Sequence, residues 1–142
     1  MQSTSEFEMI YLTKEELIEI HDQLIKQFGG SSGILAPEKI ELCIKAPRRI
    51  IFGTMVYETV FMKAAALIYE VCKLHPFVDG NKRTGYGAAD VFLRLNGYIL
   101  RADKDEAVKK TIAIARCTMD RDATAEWIIA HVQKNFDGLS ED

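Results

Sequence analysis

Residues 75–83 read His-Pro-Phe-Val-Asp-Gly-Asn-Lys-Arg, and this stretch, called the motif below, decides how the rest of the chain is interpreted. Pro76 disfavours helical backbone angles at the residue before it, His75. The strongly hydrophobic helix that we predict over residues 55–74 should therefore end just before His75. The imidazole would then lie on a loop and face whatever packs across from it.

A second helix is predicted directly after this loop. Asp79-Gly80-Asn81 is a turn signal, and residues 81–97 have the apolar spacing and the Asn-Gly stop of a helix. The free backbone N–H groups and the positive dipole end of that helix would lie beside the cations Lys82 and Arg83. This arrangement favours binding of an anion, most naturally a phosphate.

The residue types in the motif match what is needed to move a phosphoryl or nucleotidyl group onto a hydroxyl. His75 is the candidate general base that takes the proton of the attacking hydroxyl. Asp79 is the candidate Mg²⁺ ligand, since Mg²⁺ is commonly held by one or two carboxylates together with the phosphates of a nucleotide such as ATP. These two side chains are therefore the predicted base and metal ligand.

The other candidate site residues would hold the phosphates. Gly80 lets the backbone come close, and Asn81 fixes the turn or donates a hydrogen bond. Lys82 and Arg83 are predicted to bind the nucleotide and to neutralise the charge that develops during transfer. Phe77 is predicted to anchor the loop in the core rather than to touch substrate.

Two other interpretations of the motif stay open from the residues alone. One is an ordinary helix–loop–helix corner with a capping aspartate and two solvated cations. The other is a zinc site built on Cys72, His75 and Asp79, which lacks a fourth ligand and would place Cys72 on an apolar helix.

Length and composition indicate how many domains the chain forms and whether it binds nucleic acid. With 142 residues, 48% of them hydrophobic, the chain suits one compact domain over residues 1–142. We expect its core at about 11–136 and an extended or frayed segment at 1–10. The net charge of −3 gives no overall basic bias, so no direct nucleic-acid binding is expected.

The cysteines and the hydrophobic runs indicate in which cellular compartment the protein works. Cys43, Cys72 and Cys117 are scattered and form no C-x-x-C pair, which is typical of buried free thiols in a reducing environment. No apolar run reaches 18 residues, and residues 1–9 carry acids where a secretory signal would be basic. We therefore expect a cytoplasmic protein, neither exported nor inserted in a membrane.

Helices are predicted before the motif. A capping box at residues 13–16 opens an apolar-periodic helix that Gly29-Gly30 closes, with His21 interpreted as a partly buried helix residue. Residues 29–36 form a turn-rich loop, after which Pro37 opens a short helix that ends before Pro47.

An extended flap and two more helices complete the prediction. Residues 48–53 are interpreted as a short flap, whose Arg48 and Arg49 form either a solvated edge or a contact for a protein target. After a brief extended link at residues 98–100, a helix opens at residues 103–106 with a start resembling a capping box. Following a break at residues 120–122, the last helix should run over 124–136 and dock Trp127, Ile128, Val132 and Phe136 on the bundle.

The motif resembles the signature of the Fic/Doc superfamily, and it is most similar to the Doc (death-on-curing) branch. Residues 81–84, Asn-Lys-Arg-Thr, and residues 92–97, Phe-Leu-Arg-Leu-Asn-Gly, also resemble that branch, as do residues 16–30 with His21-Asp22 and the double glycine. The resemblance spans roughly residues 11–127. It implies a compact all-α bundle with the motif loop between two central helices.

The resemblance also implies a chemistry. Fic enzymes transfer AMP from ATP to a target hydroxyl, whereas Doc toxins are kinases that phosphorylate a threonine of elongation factor Tu and halt translation. Lys82 stands where the second glycine of the Fic pattern would be, and Tyr86 stands where its second arginine would be. The Lys82 side chain should crowd the phosphate cradle of the Fic pattern, which favours Doc-type phosphoryl transfer, while Pro76 and Gly80 are more similar to Fic. A third alternative is a non-catalytic domain that acts by binding its antitoxin or another protein.

Many Fic proteins carry an inhibitory helix with the pattern Ser/Thr-x-x-x-Glu-Gly/Asn, and this sequence has no intact copy. Glu8 in the Thr4–Glu8 stretch is followed by Met9, and Glu58 is followed by Thr59. Restraint would then come from another chain. The resemblance implies a small Phd-type antitoxin whose disordered tail folds as a helix on the toxin.

Overall fold

The computed structural model describes residues 8–116 and 118–135. The described residues form six α-helices, a short 3₁₀ segment and four short strands. The helices are Lys14–Phe28 (α1), Pro37–Lys45 (α2), Val60–Leu74 (α3), Asn81–Leu95 (α4), Lys104–Ala115 (α5) and Arg121–His131 (α6). The strands are Ile50–Ile51 (β1), Thr54–Met55 (β2), Tyr98–Leu100 (β3) and Val132–Lys134 (β4), and the 3₁₀ segment is Ala46–Arg48.

Local sequence signals set the start of the first two helices, as predicted. Thr13 caps α1 by accepting a hydrogen bond from Glu16 N, while the Glu16 side chain accepts from Thr13 N, so the capping box is complete. Gly29 ends α1 with φ 90°, a conformation that glycine adopts without strain. Pro37 occupies the first turn of α2, where its missing N–H costs nothing.

Helices α3 and α4 form the centre of the bundle, and the motif connects them. They approach closely at Gly85, because a Cβ placed there would lie 3.1 Å from both Cys72 Sγ and Ile68 O. Leu67 of α3 and Phe92 of α4 are among the fully buried residues of the shared core. The predicted all-α bundle, with the motif loop between two central helices, is confirmed.

The helix predicted over residues 55–74 begins later than expected. Thr59 caps α3, since its hydroxyl accepts a hydrogen bond from Met62 N at 3.1 Å, and Met55 lies in β2 instead. The predicted flap is the start of an antiparallel hairpin in which β1 pairs with β2, with Ile50 opposite Met55. Ile50 and Ile51 of the hairpin are exposed, and the Arg48 side chain is exposed as well, with its guanidinium 4.4 Å from the centroid of the Tyr11 ring.

The last helix was placed wrongly at both ends. It begins at Arg121, within the expected break, because the Asp120 carboxylate caps it by accepting from Ala123 N at 2.8 Å. It ends at His131, and residues 132–134 form β4, which pairs with β3 in the register Tyr98–Lys134. Val132 therefore lies on a strand, and Phe136 lies outside the described residues.

Two further boundaries differ from the sequence prediction. Helix α4 ends at Leu95 rather than at residue 97, because the Asn96 side chain donates to the Phe92 carbonyl at 2.9 Å. Asp103 caps α5 as expected, but the Glu106 carboxylate accepts from Trp127 Nε1 at 3.1 Å, which ties α5 to α6.

Cys43 and Cys72 are buried free thiols, as predicted, and Cys117 lies outside the described residues. Burial raises the pKa of each described thiol to about 12, so both stay protonated near neutral pH. None of the helices in residues 8–116 and 118–135 has the length and apolar character that crossing a lipid bilayer demands.

Candidate active site

His75 ends α3 and carries the first functional group of the motif. Its backbone is left-handed, with φ 53° and ψ 61°, and its N–H donates to Val71 O at 3.3 Å. The helix therefore ends where Pro76 predicted, although His75 takes the left-handed rather than the extended conformation. This conformation is uncommon for a residue with a Cβ, and it leaves His75 exposed at the end of the helix.

Asn81, the first residue of α4, fastens the loop. Its Oδ1 accepts from Phe77 N at 3.0 Å and its Nδ2 donates to Phe77 O at 2.9 Å, which fixes the orientation of the amide. Phe77 is fully buried, as predicted for the loop anchor. Asn81 Nδ2 also lies 3.4 Å from His75 Nδ1, so this one side chain connects the loop, the start of α4 and the candidate base.

Asp79 is the one carboxylate of the motif, and two backbone groups hold it. Its Oδ2 accepts from Ser31 N at 3.0 Å and its Oδ1 accepts from Gly80 N at 2.8 Å. These hydrogen bonds, Ser31 first, lower the pKa of the carboxyl below its ordinary value, with smaller help from Arg83 and His21. Asp79 is therefore ionised at neutral pH, as a Mg²⁺ ligand must be.

The predicted turn-rich loop, residues 29–36, lies alongside residues 76–79 and supports them. Pro76 O accepts from the backbone N–H groups of Leu35 and Ala36, at 2.8 and 3.0 Å. Val78 N donates to Gly33 O at 3.0 Å, and Ile34 pairs with Phe77 as a β-bridge. The motif is thus braced by a segment that lies 40 to 45 positions earlier in the sequence.

The second glycine after α1, Gly30, is needed because the Asp79 carboxylate packs against it. A Cβ at Gly30 would lie 2.7 Å from Asp79 Oδ2, a distance at which the carboxylate would have to move. Its φ of 117° also favours glycine. Sequence reasoning treated this pair only as a helix stop and missed its role, as it missed Ser31; the glycine cluster beside a serine was the available signal.

Gly80 precedes α4 with φ 75°, and no side chain caps the helix by a hydrogen bond. The first N–H groups of α4 are consequently available to an anion, as the sequence indicated. A cavity of about 370 Å³ opens here. It is lined by Phe28, Gly29, Gly30, Asp79, Gly80, Asn81, Lys82 and Arg83.

Most of the predicted site residues line the cavity, and one does not. Asp79, Gly80, Asn81, Lys82 and Arg83 all line it, whereas His75 does not and is linked to it through Asn81. Lys82 and Arg83 are exposed, and the Arg83 guanidinium lies 4.8 Å from the centroid of the Phe28 ring. The arrangement offers two cations, helix N–H groups and one carboxylate to a phosphorylated ligand.

Comparison with known proteins agrees with this geometry. The sequence model of the Fic/DOC family matches residues 11–93, which span α1, the bracing loop, the motif and most of α4. The chain belongs to the Fic/DOC family.

Two curated relatives place it in the Doc branch of the Fic/DOC family. It is 34% identical over 97 residues to a protein named Toxin Doc from Mycolicibacterium smegmatis, covering 66% of this chain and 75% of that protein. It is 32% identical over 108 residues to a protein named Protein kinase doc from Escherichia phage P1, covering 75% of this chain and 83% of that protein.

The two positions where this Fic/DOC chain departs from the Fic pattern differ in their surroundings. Lys82 is exposed at the cavity, in the first turn of α4. Tyr86 is half-buried one turn further on, with its ring centroid 6.4 Å from that of Trp127 in α6. Burial, assisted by Asp90, raises the pKa of the Tyr86 hydroxyl, so it brings no charge to the site.

The zinc interpretation finds no support in the described residues, because no group of three or more His, Cys, Asp and Glu side chains there could hold a metal. Cys72 is buried, and its thiol is protonated near neutral pH. The lone Asp79 carboxylate fits Mg²⁺ better, since that ion takes most of its remaining ligands from phosphates and water.

A larger cavity of about 560 Å³ lies near the other end of α4, where Leu95 and Asn96 form part of its wall. Among the described residues of its lining, Glu8 is the one that carries a charge, and none is Lys or Arg. These lining residues offer a phosphate no cation, so the smaller cavity at the motif is the better candidate site.

Proposed function

We propose that this chain is a Doc-type toxin that transfers the γ-phosphate of ATP to a serine or threonine hydroxyl of a translation factor, elongation factor Tu, and thereby inhibits translation. The observation that carries the proposal is Lys82, an exposed cation in the lining of the motif cavity where the Fic pattern has a glycine. The relative named Protein kinase doc supports phosphoryl transfer, and the relative named Toxin Doc supports toxicity.

In the proposed reaction the target hydroxyl oxygen attacks the γ-phosphorus. The bond from that phosphorus to the bridging oxygen breaks, ADP leaves, and the hydroxyl proton passes to His75, the candidate base. Mg²⁺, when bound, would supply positive charge to the phosphates. Asp79 would hold that ion, and Lys82 and Arg83 would neutralise the oxygens of the transferred group.

The helix terminus favours the same reaction. The first N–H groups of α4 have no side-chain cap, so they and the dipole of the helix can face the phosphates. Gly80 adopts its left-handed φ of 75° without strain because it has no side chain, and Asn81 holds the start of the helix in place through Phe77. Positioning and electrostatics together are the main contributions that a protein makes to phosphoryl transfer.

Nucleotidyl transfer in the Fic manner is the second candidate. There the hydroxyl would attack the α-phosphorus, AMP would be transferred and pyrophosphate would leave. Pro76 and Gly80 favour it, because both are more similar to the Fic pattern. Lys82 and the uncharged Tyr86 oppose it, since the first adds a side chain to the phosphate cradle and the second supplies no cation.

An antitoxin partner is part of the proposal. The relative named Toxin Doc implies a toxin–antitoxin pair, and a Phd-type antitoxin would supply the restraint for which the sequence has no inhibitory helix. Exposed apolar side chains beside the motif, Ile34, Leu35 and Val78, offer a surface for such a chain. A translation-factor target would place the protein in the cytoplasm. Co-purification from the native host tests this: recovery of no small partner would contradict it.

Intact mass spectrometry tests the reaction. Elongation factor Tu is incubated with this protein, Mg²⁺ and ATP, and a gain of one phosphate is expected. His75→Ala should abolish the gain while leaving thermal unfolding nearly unchanged, because the His75 side chain is exposed. A nucleotide-sized gain would instead support Fic chemistry. Modification that persists in His75→Ala would contradict the role of the base, and no gain would favour the non-catalytic alternative or another target.

A further inference from the structure

His21 of α1 reaches the motif from another part of the chain. It is only 1% exposed, and its Nε2 lies 2.8 Å from the backbone oxygen of Asp79. A carbonyl oxygen can only accept, so Nε2 carries a proton and donates it in this hydrogen bond. The sequence had indicated a partly buried helix residue, and this contact gives the side chain a specific partner.

The His21 ring also fixes the loop through stacking. It lies parallel to the Phe77 ring, with the centroids 3.9 Å apart and an angle of 4° between the planes. Its second nitrogen, Nδ1, faces the Asp22 carboxylate at 3.6 Å. One side chain thus holds the motif at two points, the ring of Phe77 and the main chain of Asp79.

The hydrogen bond to Asp79 O acts on more than that oxygen. The carbonyl of Asp79 and the N–H of Gly80 belong to one planar peptide unit, so fixing the first orients the second. That N–H donates to Asp79 Oδ1 at 2.8 Å, and Ser31 N holds Oδ2 at 3.0 Å. The direction of the carboxylate therefore depends on a peptide plane that His21 sets.

We propose that His21 is a positioning residue for the candidate metal ligand. It donates to the Asp79 carbonyl, fixes the Asp79–Gly80 peptide plane and thereby holds the Asp79 carboxylate at the cavity. The inference rests on the proposed function in taking Asp79 as the ligand of a divalent cation. Loss of the donor should weaken divalent-cation binding even where the fold survives, because groups that orient metal ligands typically contribute about 10- to 100-fold to affinity or activity.

Two substitutions separate the donor from the ring. His21→Phe keeps an aromatic ring against Phe77 and loses the donor, whereas His21→Gln keeps an N–H at a similar reach and loses the ring. We expect His21→Phe to raise the Mg²⁺ concentration for half-maximal phosphoryl transfer by about tenfold or more, and His21→Gln to recover most of that loss. A residue that merely fills the core would give the reverse order, since the phenyl ring replaces the packing better than the amide does.

A second readout does not require activity. Mn²⁺ alone is titrated into ¹⁵N-labelled protein, and broadening of the Gly80 and Ser31 amide resonances reports cation binding at Asp79. In His21→Phe we expect Mn²⁺ to broaden these two resonances less than in wild type, and we expect their positions to differ from wild type. In His21→Gln the broadening and the positions should both return to those of wild type. Identical resonances and broadening in wild type and His21→Phe would overturn the proposal. If phosphoryl transfer is absent in wild type but these differences appear, the proposed function fails and the positioning role stands.

A third measurement needs no variant, so it holds even if His21→Phe does not fold. The imidazole ¹⁵N shifts of His21 in wild type should show a protonated Nε2, because the hydrogen bond to Asp79 O requires it. An unprotonated Nε2 would overturn the proposal.

Discussion

Asn81 and Phe77 exchange two hydrogen bonds, in which the Asn81 amide both accepts from and donates to the main chain of Phe77, at 3.0 and 2.9 Å. Asn81 is 6% exposed and Phe77 is fully buried, so water cannot replace these bonds. The start of α4 and the loop before it are therefore held as one unit.

Replacing Asn81 should destabilise this unit. Asn81→Ala removes the partner of the buried N–H and C=O of Phe77, and we expect it to lower the free energy of unfolding by about 2–6 kcal/mol, the sum for two orphaned groups. Urea unfolding measures the change. Gln133→Ala, at an exposed position on β4, is the control and should change the free energy by less than about 0.5 kcal/mol. An equally small change for Asn81→Ala would contradict the interpretation.

Gly80 and Gly53 form a matched pair. Both have left-handed φ angles, 75° and 79°. A Cβ at Gly80 would lie 3.2 Å from Ile25 Cδ1, whereas a Cβ at Gly53 would have no described heavy atom within 4 Å. Alanine at either position should reduce stability by about 1–2 kcal/mol, the cost of the left-handed conformation. Only Gly80→Ala should also impair phosphoryl transfer, measured as kcat/KM, since its methyl group would press on Ile25, contact His21 and displace a residue that lines the cavity. Equal activities of the two variants would refute this prediction.

The pKa of Asp79 predicts how stability depends on pH. Hydrogen bonds from Ser31 and Gly80 lower it below the ordinary 3.8, so the folded state favours the ionised carboxylate. This contribution is fully present above pH 3.8 and is lost as the pH falls through the lower folded-state pKa. Asp79→Asn should therefore destabilise the protein at pH 7, and the difference from wild type should shrink below pH 3.8.

Urea unfolding across that pH range checks the prediction for Asp79. Gln133→Ala serves again as the control, because it lies at an exposed position and removes no titratable group. The free energy of unfolding could instead differ between wild type and Asp79→Asn by the same amount down to strongly acidic pH. That result would show that the backbone donors do not stabilise the charged form of the carboxylate.

Lys82 should determine how well the phosphoryl group is held. Both Lys82→Ala and Lys82→Gly remove the cation, and we expect each to lower phosphoryl transfer by about tenfold or more. Lys82→Arg keeps the charge and should retain more activity. Intact mass of the target measures the product, and only Lys82→Gly, which also frees space in the cradle, should show any nucleotide-sized gain. Full phosphoryl transfer by Lys82→Gly would argue against a role for this cation.

Much of the helical framework could be predicted because its determinants are local. The capping box at Thr13, the proline at the start of α2 and the glycine after α1 act on backbone groups within a few residues. Their effect can therefore be predicted from the sequence alone. The same holds for the end of α3 at His75, where Pro76 follows.

The largest error falls where distant partners decide the structure. Residues 132–134 have helical spacing but form β4, because β3 offers them backbone partners more than thirty residues earlier in the chain. The error at Met55 is local, since this residue pairs with nearby Ile50 in the hairpin rather than joining α3. Short apolar segments of this kind carry no local signal that separates a strand from a helix turn.

The candidate site shows the same division. The nine residues of the motif could be assigned from sequence, and their catalytic roles stay predictions. The supporting residues could not, because Ser31 and Gly30 act on Asp79 across a separation of about fifty positions. His21 lies further still, and a single histidine on a helix face gives no indication of the carbonyl that it contacts.

Both ends of the described chain are fastened to one corner. Ile10 exchanges two hydrogen bonds with the Asn96 side chain, and Asn135 N donates to the carbonyl of the next residue, Gly97, at 2.9 Å. Helix α4 has 15 residues, so at about 1.5 Å per residue this corner lies roughly 22 Å from the motif. A fluorophore attached at the exposed Ile10 or at Asn135 would thus lie at the pole opposite the motif and would leave the cavity unobstructed.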